Sequence, residues 1–220
     1  SRDRWGSTSK WKFGNMVLPA KNVFLHHTVT KVTAFPYKDA KVVENEGIAR
    51  FGQMSYSYLV HPSAVILEGA GTKVGAHTKG NNSTSFGIVL IGDYDDAPGT
   101  DVWIVPSPAQ IDAVRWLIYH LKVERNWLND AAVLQPHQSV VATACPGNKT
   151  IPLLPSFRKA WDPTPPPPPP PPPLVVGPVQ EVNMMLAHVT LSLRLDDKGN
   201  GWYKVPYTID KIVSITPHSG

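Results

Sequence analysis

The sequence predicts an α/β domain on a central sheet, then a proline-rich spacer and a small all-β segment. Three observations predict this. Over residues 1–161, short apolar and β-branched runs alternate with stretches of helical period. Nine consecutive prolines at 165–173 then interrupt the chain. Beyond them, apolar and polar residues alternate with period two over 189–196. The expected organisation is one domain at 1–161, a linker at 162–178 and a tail at 179–220.

Residues 23–30 are apolar and β-branched and predict a strand. Residues 39–51 carry Val42, Val43, Ile48 and Phe51 among charged neighbours and predict a helix. Residues 56–67 read as strand, then a turn at His61, Pro62 and Ser63, then strand. The run SFGIVLIG at 85–92 has the unbroken apolar character of a buried strand. Residues 108–127 predict a helix. Ser107 can cap it, Pro108 suits its first turn, and Ile111, Val114, Leu117, Ile118 and Leu121 follow the helical period. Proline fixes φ and lacks an amide donor, so 165–173 predicts a polyproline II rod of roughly 28 Å at about 3.1 Å per residue. In the tail, residues 197–201 (DKGNG) read as a turn, and 202–208 and 211–216 as strands. So short a tail rarely stands alone without a disulfide or metal.

Composition narrows the function classes. An apolar content of 42% excludes disorder throughout. No apolar run is long enough for a membrane span. No signal peptide is visible, and the chain does not open with Met. The net charge is +4, with the basic excess on residues 1–161 (17 Lys and Arg against 12 Asp and Glu). Such an excess suits an anionic polymer such as a cell wall or a nucleic acid. No motif of the known nucleic-acid modules is present, so no nucleic-acid partner is expected.

Cys145 is the sole cysteine of the chain. It cannot form an internal disulfide, which leaves packing, nucleophilic attack or metal ligation. It stands eight residues after His137, and a histidine pair, His26 and His27, lies in the first predicted strand. Two imidazoles and one thiolate can hold Zn²⁺ with a position left for water. Spacing alone leaves the other uses open.

Four pieces, in order, resemble the type-2 N-acetylmuramoyl-L-alanine amidase and peptidoglycan recognition protein family. They are SRDRWG at 1–6, FLHHT at 24–28, the block GAHTKG at 75–80 with Asn82 and SFGI at 85–88, and the closing His137 to Pro146 element. The resemblance covers about residues 1–161. It implies a central mixed β-sheet flanked by helices. It implies Zn²⁺ held by His26, His137 and Cys145, and selects His26 over His27, whose side chain points to the opposite face of an extended strand. His27 is then packing or support behind the ligands. Tyr56 falls where the family has an active-site tyrosine, with Tyr58 two residues on and expected on the same face. Thr143 falls where some members have lysine and catalytically active recognition proteins have threonine. A hydroxyl there donates a hydrogen bond but supplies no positive charge. The family pattern places His77 beside the groove that receives the peptide, as a substrate contact or a structural residue rather than a ligand, and Asn82 as a substrate contact or the holder of a turn.

The implied reaction is hydrolysis of the amide between the lactyl group of N-acetylmuramic acid and L-alanine in peptidoglycan. Zinc would bring the pKa of water towards about 7 and polarise the scissile carbonyl, with Tyr56 and Thr143 donating to the oxyanion. A head, a stiff spacer and a small β tail further resemble the layout of phage endolysins that attack mycobacterial-type walls. In that layout the tail binds the wall, and the protein is phage-encoded and released to it, or secreted. Two other classes compete. A non-catalytic peptidoglycan receptor would share the fold, and a cysteine peptidase would use Cys145 as nucleophile with a histidine as base.

Overall fold

The computed structural model describes residues 1–95 and 105–163, together with the backbone of 193–194 and 202–203. The chain divides into two units, Ser1–Pro166 and Pro167–Gly220.

The first unit is built on five strands: β1 (Asn22–His27), β2 (Tyr58–Val60), β3 (Ile66–Glu68), β4 (Ser85–Leu90) and β5 (Leu134–Pro136). Their order across the sheet is β3-β2-β4-β1-β5. β1 runs parallel to both β4 and β5, β2 runs parallel to β4, and β3 alone is antiparallel. The sheet is therefore mixed. All six residues of β4 are buried, as a central strand covered on both faces requires.

Helices cover both faces. Helix α1 (Pro36–Phe51) lies on one side, where Ala40 and Val43 join Leu59, Leu67, Val89 and Ile91 in one apolar cluster. Helices α2 (Pro108–Tyr119) and α3 (Leu154–Arg158) lie on the other. There Val114, Leu117, Leu154 and Phe157 pack on Val23, Leu25, Phe86, Ile88 and Leu90. Successive strand residues thus feed alternate cores, following the two-residue period of a strand.

Several boundaries move for local reasons. β1 stops at His27, and Val29 then adopts a left-handed φ of 56°. α1 begins three residues before the expected start because Pro36 is preset for a first helical turn. Ser107 caps α2 by accepting from the Gln110 amide, as expected. The helix then passes into a π turn, His120–Glu124, and the left-handed Asn126 (φ 52°) turns the chain away before Trp127. β5 was not expected at all: three residues ending in proline carry no readable period.

In the second unit, β6 (Leu193–Arg194) and β7 (Trp202–Tyr203) pair antiparallel. The expected proline rod at 165–173, the turn at 197–201, the strand at 211–216 and the remainder of the other tail strands lie outside the described residues. Among the described residues, no helix is long and apolar enough to cross a membrane.

Candidate metal centre

The centre forms where parallel strands end, the usual place for a ligand in an open α/β sheet. His26 is near the end of β1 and is almost fully buried. In the β1–β5 register, Leu25 stands opposite Pro136. The next residue after β5 is His137, which is thereby delivered beside His26. Their ring centroids are 4.4 Å apart. The chain then loops out and returns. The Gln138 amide donates to the Cys145 carbonyl at 3.0 Å, closing the loop. Cys145 Sγ ends 3.6 Å from His26 Nδ1. One donor atom from each of His26, His137 and Cys145 lies within 4.8 Å of the other two.

The returning loop is anchored from behind. The Tyr94 carbonyl accepts from the Lys149 amide, and the Asp95 carboxylate accepts from the Asn148 amide at 3.1 Å. Gly147 has φ +93°, and a Cβ there would lie 2.6 Å from the Tyr94 carbonyl oxygen. A larger residue would therefore push the Cys145 loop off its support. Thr143 Oγ1 accepts from the Cys145 amide at 3.2 Å, which leaves its own hydrogen free to donate.

Burial controls the electrostatics. It depresses the pKa of His26 well below the ordinary histidine value, and the neighbouring His77, His137 and His27 add to this. Burial also lowers His137 and brings His77 down to about 4. All three rings are neutral near pH 7, the form that ligates metal. The Cys145 thiol is pushed up to about 12, chiefly by burial, with the Asp95 charge adding to this and a hydrogen bond from the His27 backbone opposing it. A half-buried thiol beside neutral rings lacks a positive charge to stabilise its thiolate, and a bound cation would supply one. Two imidazoles and a sulfur form a donor set suited to zinc, so the residues fit that ion.

Around the three donors stand the other expected residues. The Tyr56 ring centroid is 5.2 Å from that of His26. Burial first, and the charge of Cys145 second, raise its phenol, which stays protonated as a donor. Tyr58 packs instead against Phe86, with centroids 6.0 Å apart. The two tyrosines do not share a face, because β2 begins only at Tyr58 and the strand period does not reach back to Tyr56. His77 is 6% exposed, with its ring 5.4 Å from and nearly perpendicular to that of His26. It fits only because residue 87 is glycine: a Cβ there would lie 2.4 Å from His77 Cγ. Asn82 Oδ1 accepts from the His77 and Thr78 amides at 3.0 and 2.7 Å and so holds their turn.

Two further groups were not foreseen. Thr78 Oγ1 is 3.3 Å from His26 Nε2 and 3.0 Å from His77 Nδ1. Asp93 and Asp95 flank His27 on the opposite face of β1. Both depend on long-range contacts. The one available signal was that Thr78 sits in the same GAHTKG string as His77.

The model of the family described as N-acetylmuramoyl-L-alanine amidase matches residues 16–148, a stretch that contains all three donors. The chain belongs to this amidase family. A pig N-acetylmuramoyl-L-alanine amidase is 31% identical over 164 residues, covering 70% of this chain. The match spans only 26% of the pig protein's own length. Solved structures related to this amidase family include Drosophila PGRP-LB, with 27% identity and a TM-score of 0.60 over 67% of this chain and 86% of that one. They also include human PGRP-IβC in complex with glycosamyl muramyl pentapeptide, with 25% identity and a TM-score of 0.58 over 67% and 88% of the respective chains. The family likeness thus extends to amidases and to peptidoglycan recognition proteins alike.

Proposed function

We propose that the chain is a zinc-dependent amidase that cleaves the bond between the lactyl group of N-acetylmuramic acid and L-alanine in peptidoglycan. The observation that carries this reading is the convergence of His26, His137 and Cys145 donor atoms to within 4.8 Å at the ends of β1 and β5. A muramyl peptide bound to a structural relative supports the substrate class. When bound, zinc supplies Lewis acidity, activating water and polarising the scissile carbonyl.

The protein's own residues do the rest. Tyr56, kept protonated by its surroundings, donates a hydrogen bond to the developing oxyanion. Thr143 has a free hydroxyl hydrogen for the same purpose, because its oxygen already accepts from Cys145. Both ring nitrogens of His77 are engaged inside the protein, which supports a structural role in the wall behind His26 over the expected substrate contact. The substrate contact falls to the Asn82 carboxamide nitrogen, whose oxygen already fixes the turn.

The test is release of peptide with a free L-alanine amine from purified muropeptide. Activity is expected to vanish with a chelator and return with zinc. Full activity in chelator would assign Cys145 to a cysteine peptidase. Wall binding without any release would assign the chain to the receptors.

On layout alone, the reading extends to a phage endolysin acting at the bacterial wall, with 1–161 as head, 162–178 as linker and 179–220 as a wall-binding tail. Deleting 174–220 should weaken lysis of whole walls more than cleavage of a soluble muropeptide, because a tethered head works at raised local concentration. Equal loss on both substrates would assign the tail to stability of the head.

A further inference from the structure

We infer that Thr78 and His77 form a one-way hydrogen-bond relay that fixes His26 as its Nε2–H tautomer and keeps the Nδ1 lone pair bare. The direction of the relay follows from its far end. His77 Nε2 lies 3.3 Å from the Ser85 carbonyl oxygen, which can only accept. His77 therefore carries its hydrogen on Nε2, and its Nδ1 is an acceptor. Thr78 Oγ1, 3.0 Å away, spends its single hydrogen on that Nδ1. Towards His26 the hydroxyl can then only accept, so the hydrogen between them, across 3.3 Å, belongs to His26 Nε2. His26 Nδ1 is left without a proton. This is the nitrogen that stands 3.6 Å from Cys145 Sγ.

Each part of the relay is held in place. Ser85 opens β4, whose register with β1 is fixed strand to strand. The His77 ring fills the space above Gly87, where any side chain would collide with it. The Asn82 carboxamide grips the His77 and Thr78 amides and sets the hydroxyl's position. Thr78 itself is fully buried, so no water competes for its hydroxyl. Thr78 and His77 are thus positioning residues that act through His26. Without the hydroxyl, His26 Nε2–H would lose its acceptor, and the proton would gain by moving to Nδ1, where the sulfur can accept it. A proton on Nδ1 blocks ligation. This consequence for affinity rests on the zinc reading above, whereas the tautomer does not.

The test is a long-range ¹H–¹⁵N spectrum of the metal-free full chain near neutral pH, with zinc affinity by chelator competition. His26 and His77 should both appear as Nε2–H tautomers. In Thr78→Val the His26 bias should be lost and zinc should bind about 10- to 100-fold more weakly, the usual cost of losing support behind a ligand. Thr78→Ser should restore both. A wild-type His26 protonated on Nδ1, or a Thr78→Val spectrum with His26 unchanged, overturns the relay. A shifted tautomer with unchanged zinc affinity overturns its link to the metal. Should Thr78→Val fail to fold, the wild-type and Thr78→Ser spectra still decide the tautomer. A wild type with both Nε2–H tautomers that takes up no zinc supports the relay and sinks the proposed function instead.

Discussion

His26 and His27 are neighbours on one strand, and each gathers two potential metal donors, yet the two groups are chemically different. His26 meets a histidine and a cysteine, and its Nδ1 faces the sulfur. His27, on the other face, meets Asp93 and Asp95, with Nδ1 3.9 Å from one and Nε2 3.7 Å from the other. Its Nδ1 already accepts from the Tyr94 backbone amide at 3.3 Å, so its hydrogen sits on Nε2. Each carboxylate also holds a backbone amide: Asp93 accepts from the Asp95 amide, and Asp95 from the Asn148 amide. The lesson is that clustering of donors is not sufficient. What separates the groups is donor chemistry and anchoring: the first offers two imidazoles and a sulfur, whereas in the second the ring and both carboxylates also hold backbone amides. The first group is built to receive an ion, and the second to tie β1 to the two loops behind the centre.

The sharpest way to break this contrast is Cys145→Ala. It should abolish peptide release and leave little bound zinc by elemental analysis, while the fold persists. Zinc retained at full stoichiometry would move the metal elsewhere and remove the distinction between the faces. Next in size is Tyr56→Phe. Removing one oxyanion donor typically costs about 10²–10³ in rate, so kcat should fall by that factor with KM and zinc content unchanged. A kcat near wild type would exclude the phenol from the reaction.

Much of this contrast was legible in the sequence, for identifiable reasons. Strand alternation alone places His26 and His27 on opposite faces. The buried β4 shows as an unbroken apolar run, and Ser107 with Pro108 marks the start of α2. What could not be read is non-local. β5 is too short to carry a period, yet its register with β1 delivers His137. The His77 ring reads as a groove residue from its motif, but Gly87 admits it beneath His26. Asp93 and Asp95 carry no pattern of their own, and they matter only because the fold brings both to His27 and Asp95 to the Asn148 amide.

Of intermediate size is the pH response of the metal-free protein. The folded pKa of His77 is about 4, against an ordinary value of 6.5. The unfolded chain therefore takes up the proton first as pH falls, and stability declines with it. The contribution is fully present above about pH 6.5 and is lost progressively towards pH 4, amounting to about 3 kcal/mol at most from this residue. Denaturant midpoints between pH 7 and pH 4 should show the decline, and His77→Gln should make it shallower, with His26 and His137, also depressed by burial, supplying the remainder. A midpoint that holds or rises on acidification would mean that His77 is not buried as a neutral ring.

The smallest expected effect tests the His27 side directly. Asp95→Ala removes the acceptor for the Asn148 amide and the carboxylate 3.7 Å from His27 Nε2. Because Asp95 is about a quarter exposed, water replaces part of what is lost. The cost should be about 1 kcal/mol in denaturant unfolding, near that of one net hydrogen bond. Asp95→Asn keeps a carbonyl oxygen for Asn148 and should recover most of it. Neither change should alter the number of zinc ions bound, because neither touches the three donors. The opposite pattern would be a loss of one bound ion in both variants with stability unchanged. That result would make the His27 group a metal site in its own right, and donor chemistry would no longer separate the two faces of β1.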